Sequence, residues 1–258
     1  MNRDERNQEI FLHKRWSRTK KLSSAKKLLN DISKYYELAF MRRGLRPMEF
    51  SAENQSCFNS NLLYLIAVTD GNEDSVGHSQ LVAKYSLVLT KALGIEDKDF
   101  IANIERGALL HDIGKIGIPE SILRKPTELN ELEKQMVKEH PLLGYELIEE
   151  YDFLKKATNV VLYHHERHDG EGYPYGLSGQ EIPLEARIFV LADTLDAITS
   201  DRPYRKGQGF EVAFEEIEKG EGTQFDPSVV EAFFSIPEDL WCQVKSIPTN
   251  SPQFFLIH

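Results

Sequence analysis

Apolar residues recur along this chain every three or four positions rather than every two. In KKLSSAKKLLNDISKYYELAFMRR, Leu22, Leu28, Leu29, Ile32, Tyr36 and Phe40 fall roughly on one helix face. Gly44 and Pro47 then end the pattern. Further helices are predicted over roughly 75–93, stopped by Gly94, and over 98–111. Two more are expected over 130–140, meeting Pro141, and over 152–165. A helix over 183–199 is apolar nearly all round and is expected at the centre. No run alternates with period two between turn signals, so the predicted class is all-α, a helical bundle with an additional N-terminal helical segment. The pattern divides the chain into a segment 1–60, a main domain 61–236, and a proline-bearing stretch 237–258 read as a tail lying over the surface.

Charge sharpens this division. Residues 1–48 carry 13 Lys and Arg against 5 Asp and Glu, while the rest carries 18 against 36. An acidic main body argues against a nucleic-acid polymer as partner but allows a small anion in one cationic pocket. The basic segment 1–60 has two readings. It is a dimerising or regulatory region that meets a protein partner or an anionic surface, or a solvated basic helix packed on the main domain. No apolar run approaches the roughly 20 residues of a membrane span. The N-terminus lacks the layout of a secretion signal, and Cys57 and Cys242 have no metal-type spacing. The expected location is therefore cytoplasmic, with reduced thiols.

The histidines carry the chemistry. Ile101, Ile104, Ala108 and His111 share one predicted face, as do Leu132, Met136 and His140, and Leu154, Ala157, Val161 and His164. Three core-facing stripes thus end in histidine. His111 is followed by Asp112 and His164 by His165, and Asp193 interrupts the helix that is otherwise apolar all round. A lone buried carboxylate among imidazoles is costly without a cation. Imidazole and carboxylate without thiolate suit iron, manganese or zinc. Neighbours on a helix diverge by about 100°, so each adjacent pair can serve two metals, and Asp112 can bridge them. Two such metals clamp the attacking and leaving oxygens of a displacement at phosphorus and acidify the attacking water.

Four segments taken together resemble the HD-GYP branch of the HD superfamily. They are HDIGKIGIPESIL at 111–123, HHERHDGEGYPYGLSG at 164–179, RIFVLADTLDAITSDRPYR at 187–205 and GTQFDP at 222–227. The likeness covers roughly 60–236, and the ordered combination is specific where HD alone is weak. It implies an all-helical metal-dependent phosphodiesterase that hydrolyses the bacterial second messenger cyclic di-GMP to pGpG, GMP or both. Carried over by position, it implies metal ligation by His111, Asp112, His140, His164, His165 and Asp193. Lys115 would steady the scissile phosphate or the nucleophile, Tyr173 would lie on a loop over the ligand, and Arg202 and Arg205 would hold phosphate. Some family members add a third metal through a glutamate four residues before a histidine. Here those positions are Asp74 and His78, an i, i+4 pair. Asp74 has a carboxylate one methylene shorter and serves either as ligand or as a helix cap. His78 is expected on the buried side with Leu81, Val82 and Tyr85. The expected cofactor is thus two or three divalent metals, with iron or manganese as the expected identity. Two rival readings are a phosphodiesterase for another cyclic dinucleotide, such as a mixed GMP-AMP ring, and a non-catalytic cyclic-dinucleotide sensor.

Overall fold

A computed structural model of the chain describes residues 22–30, 73–201 and 205–247. Helix α1 covers the described residues 22–30. There follow α2 (Glu73–Ala92), α3 (Lys98–Leu110), α4 (Glu120–Leu123), α5 (Glu131–Val137), α6 (His140–Ile148), α7 (Thr158–Tyr163), α8 (Leu184–Thr199), α9 (Phe210–Lys219), α10 (Pro227–Phe234) and α11 (Glu238–Ser246). Short 3-10 turns lie at Ile113–Gly117, Asp152–Leu154 and Gly179–Glu181. Among the described residues β pairing is limited to isolated bridges such as Asp169 with Ser178, so the class is all-α as expected.

Helix α8 is central, as its composition predicted. It packs against α2, α3, α7, α9 and α10, with Ile188, Phe189, Leu191, Ala192 and Leu195 fully buried. Two buried hydroxyls of this core are satisfied within their own helix. Ser86 and Thr90 of α2 donate to the carbonyls of Val82 and Ser86 at 2.9 and 2.7 Å. Helix starts follow the capping rules: Asp97 accepts from the Phe100 amide at 2.7 Å, and Asn130 with Glu133 forms a capping box at 3.0 and 2.9 Å.

Three elements differ from the sequence expectation. The helix expected over 130–140 stops at Val137, and Pro141 lies in the first turn of α6. Proline has no amide hydrogen for a continuing helix ladder but suits a new first turn. His140 consequently belongs to α6, and the expected stripe through Leu132 fails, for Leu132 is 74% exposed. The helix expected over 152–165 divides into the 3-10 turn at Asp152–Leu154 and α7. The stretch after Pro237, read as a surface tail, holds α11 instead. Trp241 and Val244, three apart on one face, enter the core. The Trp241 ring stacks on Phe233 at 5.0 Å and meets Tyr85 edge-on at 5.6 Å. Burying such a ring stabilises the packed helix by roughly 3 kcal/mol, which outweighs the weak periodicity around it.

Helix α1 packs on the main domain through buried Ala25 and Leu29. Lys26 pairs with Glu150 at 3.2 Å, and the Tyr151 hydroxyl donates to Asn30 Oδ1 at 3.3 Å. Ile32, Tyr36, Phe40 and the proposed partner surface of the remaining basic segment lie outside the described residues.

Candidate metal centre

The site forms where helix ends converge on α8. His111 directly follows α3, His164 follows α7, and His140 opens α6. Each ring turns back on the helix end beside it. His111 Nδ1 lies 2.9 Å from the Ala108 carbonyl, His140 Nδ1 2.7 Å from that of Val137, and His164 Nδ1 3.0 Å from that of Val161. A carbonyl only accepts, so Nδ1 carries the hydrogen in all three rings and Nε2 presents a lone pair. The acceptors are last-turn carbonyls that a helix leaves without internal partners.

These lone pairs converge in two groups. His140, His164 and His165 bring one donor atom each within 4.8 Å of one another, and so do His78, His111 and Asp193. Asp112 joins them, with Oδ2 3.1 Å from His111 Nε2 and Oδ1 3.4 Å from His140 Nε2. The bridging position expected for Asp112 is therefore available to it. Lys115 Nζ lies 2.5 Å from Asp112 Oδ2. His140 and His164 face each other Nε2 to Nε2 at 3.0 Å. With both Nδ1 atoms donating to carbonyls, two neutral rings would oppose lone pairs there, an arrangement a cation between them resolves. The donor set thus fits divalent metal.

Protonation agrees with that fit. Burial lowers the pKa of His140 and drives His164 far down, with the neighbouring imidazoles adding to the effect at His164. Burial and His140 push His165 down to about 3. These rings are neutral and ready to donate lone pairs. Burial disfavours the Asp112 carboxylate, but Lys115 and the imidazoles outweigh it and hold its pKa well below the usual range. Asp193 is also lowered, by its hydrogen bond to His78 and the charge there, against the opposing effect of burial. His78 behaves differently. Burial pulls it down, but Asp193 and Asp196 bring it up to about 9.

Two glycines allow the close approach. A Cβ on Gly114 would lie 1.9 Å from the His140 carbonyl oxygen and 2.5 Å from the Gly144 nitrogen. Only glycine lets the HDIGK turn rest on the start of α6. A Cβ on Gly172 would meet the Arg167 nitrogen at 2.4 Å and the Glu166 Cα at 2.5 Å. Without it the loop folds back, and Tyr173 stacks on His165 with centroids 4.6 Å apart and planes 20° apart. The Lys138 ammonium lies 5.1 Å from the Tyr173 ring centroid. Burial and the Asp112 charge raise the Tyr173 pKa, so its phenol stays a hydrogen-bond donor.

Of the remaining expected residues, Arg205 and His78 have described side chains. Arg205 is exposed and donates to the Ala197 carbonyl near the end of α8. Arg202 lies outside the described residues. Asp74 falls in the first turn of α2, and whether its side chain ligates or caps lies outside what the structure describes. His78 is largely buried, as expected, and faces Asp193 through Nε2 at 3.3 Å. Its grouping is with His111 and Asp193.

Sequence reasoning missed two buried carboxylates. Asp196 lies 2.5 Å from His78 Nδ1. Its position three residues after Asp193 on an apolar helix was a signal, since i and i+3 share a face. Glu166 accepts the amides of Tyr175 at 2.8 Å and Leu177 at 3.1 Å, holding the glycine-rich loop over His165. A buried glutamate directly after two candidate ligands was the available clue.

The fold and site together define a helical bundle that closes a histidine–aspartate cluster. The chain matches the family model described as HD domain over residues 65–229, and it belongs to the HD domain family. Over 200 residues it is 38% identical to the cyclic di-GMP phosphodiesterase response regulator RpfG of Xanthomonas campestris, covering 76% of this chain and 51% of that protein. Over 153 residues it is 39% identical to 3'3'-cGAMP-specific phosphodiesterase 3 of Vibrio cholerae, covering 59% of this chain and 33% of that protein. The chain thus spans about half or less of the length of these relatives. A solved structure of an HDG"Y"P protein from Bdellovibrio bacteriovorus shares the fold, with a TM-score of 0.52 and 16% identity over 91% of this chain and 80% of that one. No described helix is long and apolar enough to cross a membrane.

Proposed function

We propose that this chain is a metal-dependent phosphodiesterase that opens cyclic di-GMP by hydrolysis. The observation that carries the reading is Asp112, which turns one oxygen to each donor group and holds Lys115 at 2.5 Å. Two donor groups joined by one carboxylate suit two divalent metals, iron or manganese among those that imidazole and carboxylate donors without thiolate accept. His140, His164 and His165 would hold one, His78, His111 and Asp193 the other, with Asp112 between them. Such metals supply an acidified water and offset charge on the phosphoryl oxygens.

The chain's own residues do the rest. Lys115 sets a cation at the bridge, where negative charge grows on the phosphoryl oxygens during attack. Tyr173, kept protonated and fixed on His165, offers a hydroxyl to the bound dinucleotide. Arg205, after leaving the Ala197 carbonyl, and Arg202 would hold the second phosphate, turning distant binding into orientation.

The test is hydrolysis of cyclic di-GMP by anaerobically purified protein with metal analysis and product identification. Wild type should release pGpG or GMP, and the His111→Ala and Asp112→Ala variants should not. Near-wild-type activity in both variants would sink the reading. The mixed GMP-AMP ring is a second substrate reading, supported by the likeness to the Vibrio cholerae enzyme named for it. A side-by-side comparison of kcat/KM on the two rings separates them.

A further inference from the structure

His111, His140 and His164 orient their rings on carbonyls left over at helix ends. His78 lacks that device, because it sits inside α2 where nearby carbonyls are used by the helix itself. A carboxylate stands in the same place. Asp196 Oδ2 lies 2.5 Å from His78 Nδ1, and the Ser200 hydroxyl donates to Asp196 Oδ1 at 2.6 Å. Asp196 is 1% exposed. Asp193, Asp196 and Ser200 follow i, i+3 and i+7, so one face of α8 carries both a candidate ligand and the support for its partner.

The hydrogen on His78 decides what Nε2 can do. A neutral ring has one N–H and, among the described residues, meets Asp196 through Nδ1 and Asp193 through Nε2. With the hydrogen toward Asp196, Nε2 and Asp193 both present lone pairs to one point, as metal binding requires. With the hydrogen toward Asp193, Nε2 is blocked. The shorter contact to Asp196 and its anchoring by Ser200 favour the first tautomer.

We propose that Asp196 is the positioning residue that makes His78 a metal ligand, and that with Ser200 it sets occupancy of the His78, His111 and Asp193 group independently of the His140, His164 and His165 group. This deepens the proposed function and rests on its assignment of metal to both groups. Asp196 acts through His78 and touches neither substrate nor metal.

The test is an anaerobic Mn(II) binding isotherm on the full chain for wild type, Asp196→Asn, Asp196→Ala, His78→Ala and the double variant His78→Ala/Asp196→Asn. The Asn variant keeps the volume, so it guards against a folding defect in Asp196→Ala. One equivalent should weaken by about 10–100-fold in the Asp196 variants, with the other unchanged. The double variant should match His78→Ala alone. Wild-type affinity at both equivalents in Asp196→Asn, equal weakening of both, or additive losses in the double variant would overturn the proposal alone. Absence of Mn(II) binding by wild type would overturn the metal assignment and the proposal with it.

Discussion

The two donor groups reach similar geometry by different chemistry. His140, His164 and His165 contribute imidazoles only, desolvated and held neutral, so their negative charge must come from Asp112 next door. His78, His111 and Asp193 include a carboxylate of their own, backed by Asp196. On the proposed reading, the first group would gain a cation and a bridging anion together. The second already has charge, enough to raise His78 to about 9 when a proton takes the place of metal. Dependence on Asp112 should therefore be stronger on the all-imidazole side, and competition by protons stronger on the other.

The largest expected effect comes from removing what the groups share. Asp112→Ala should abolish hydrolysis and lower metal content at both groups, with the greater loss at His140, His164 and His165, as read by metal analysis and turnover. Equal retention at both groups would contradict the shared-charge picture. Next in size is the contrast between His164→Ala and His78→Ala. The first should remove metal from its own group and activity with it, while the second should leave the all-imidazole group loaded. Identical metal counts at each group in the two variants would erase the distinction. Lys115→Met should leave metal content unchanged and reduce kcat by about 100-fold to 1000-fold, the scale of a lost donor to developing charge, as steady-state kinetics would reveal.

The smallest effect serves as a control away from the donors. Asp226 caps α10 through the Ser228 amide at 2.7 Å and pairs with Arg187. Burial raises its pKa, but the Ser228 and Arg187 bonds outweigh that and lower it. A depressed carboxyl stabilises the fold above its unfolded value of about 3.9, and the gain disappears as pH falls through the folded value. Unfolding free energies from urea titrations of wild type and Asp226→Asn should differ by about 1–3 kcal/mol at pH 7 and converge as pH falls below the unfolded value. A gap that widens in acid would reverse the assignment.

Much of this was legible in the residues, and the misses have physical causes. Of the stripe through Ile101, Ile104, Ala108 and His111 all but the half-buried Ile101 are buried as their spacing implied, and Leu154, Ala157, Val161 and His164 are buried although a 3-10 turn interrupts their expected helix. Helical period is a reliable guide where one helix face meets a dense core. The stripe through Leu132 failed because a proline began a new helix, so spacing was counted across a junction. Asp196 escaped notice because a second carboxylate three residues from a candidate ligand reads as redundancy until its partner in α2 is known. Helix α11 was hidden by prolines on either side of one tryptophan, and periodicity needs more than two buried positions to show. No local pattern announced that Arg205 would turn to the Ala197 carbonyl.

The rings bonded to helix-end carbonyls have a consequence for how such a centre assembles. In each case ring and acceptor are three residues apart, so a short peptide specifies the aim of the ring before distant parts of the chain meet. Bundle closure then has only to bring finished ends together.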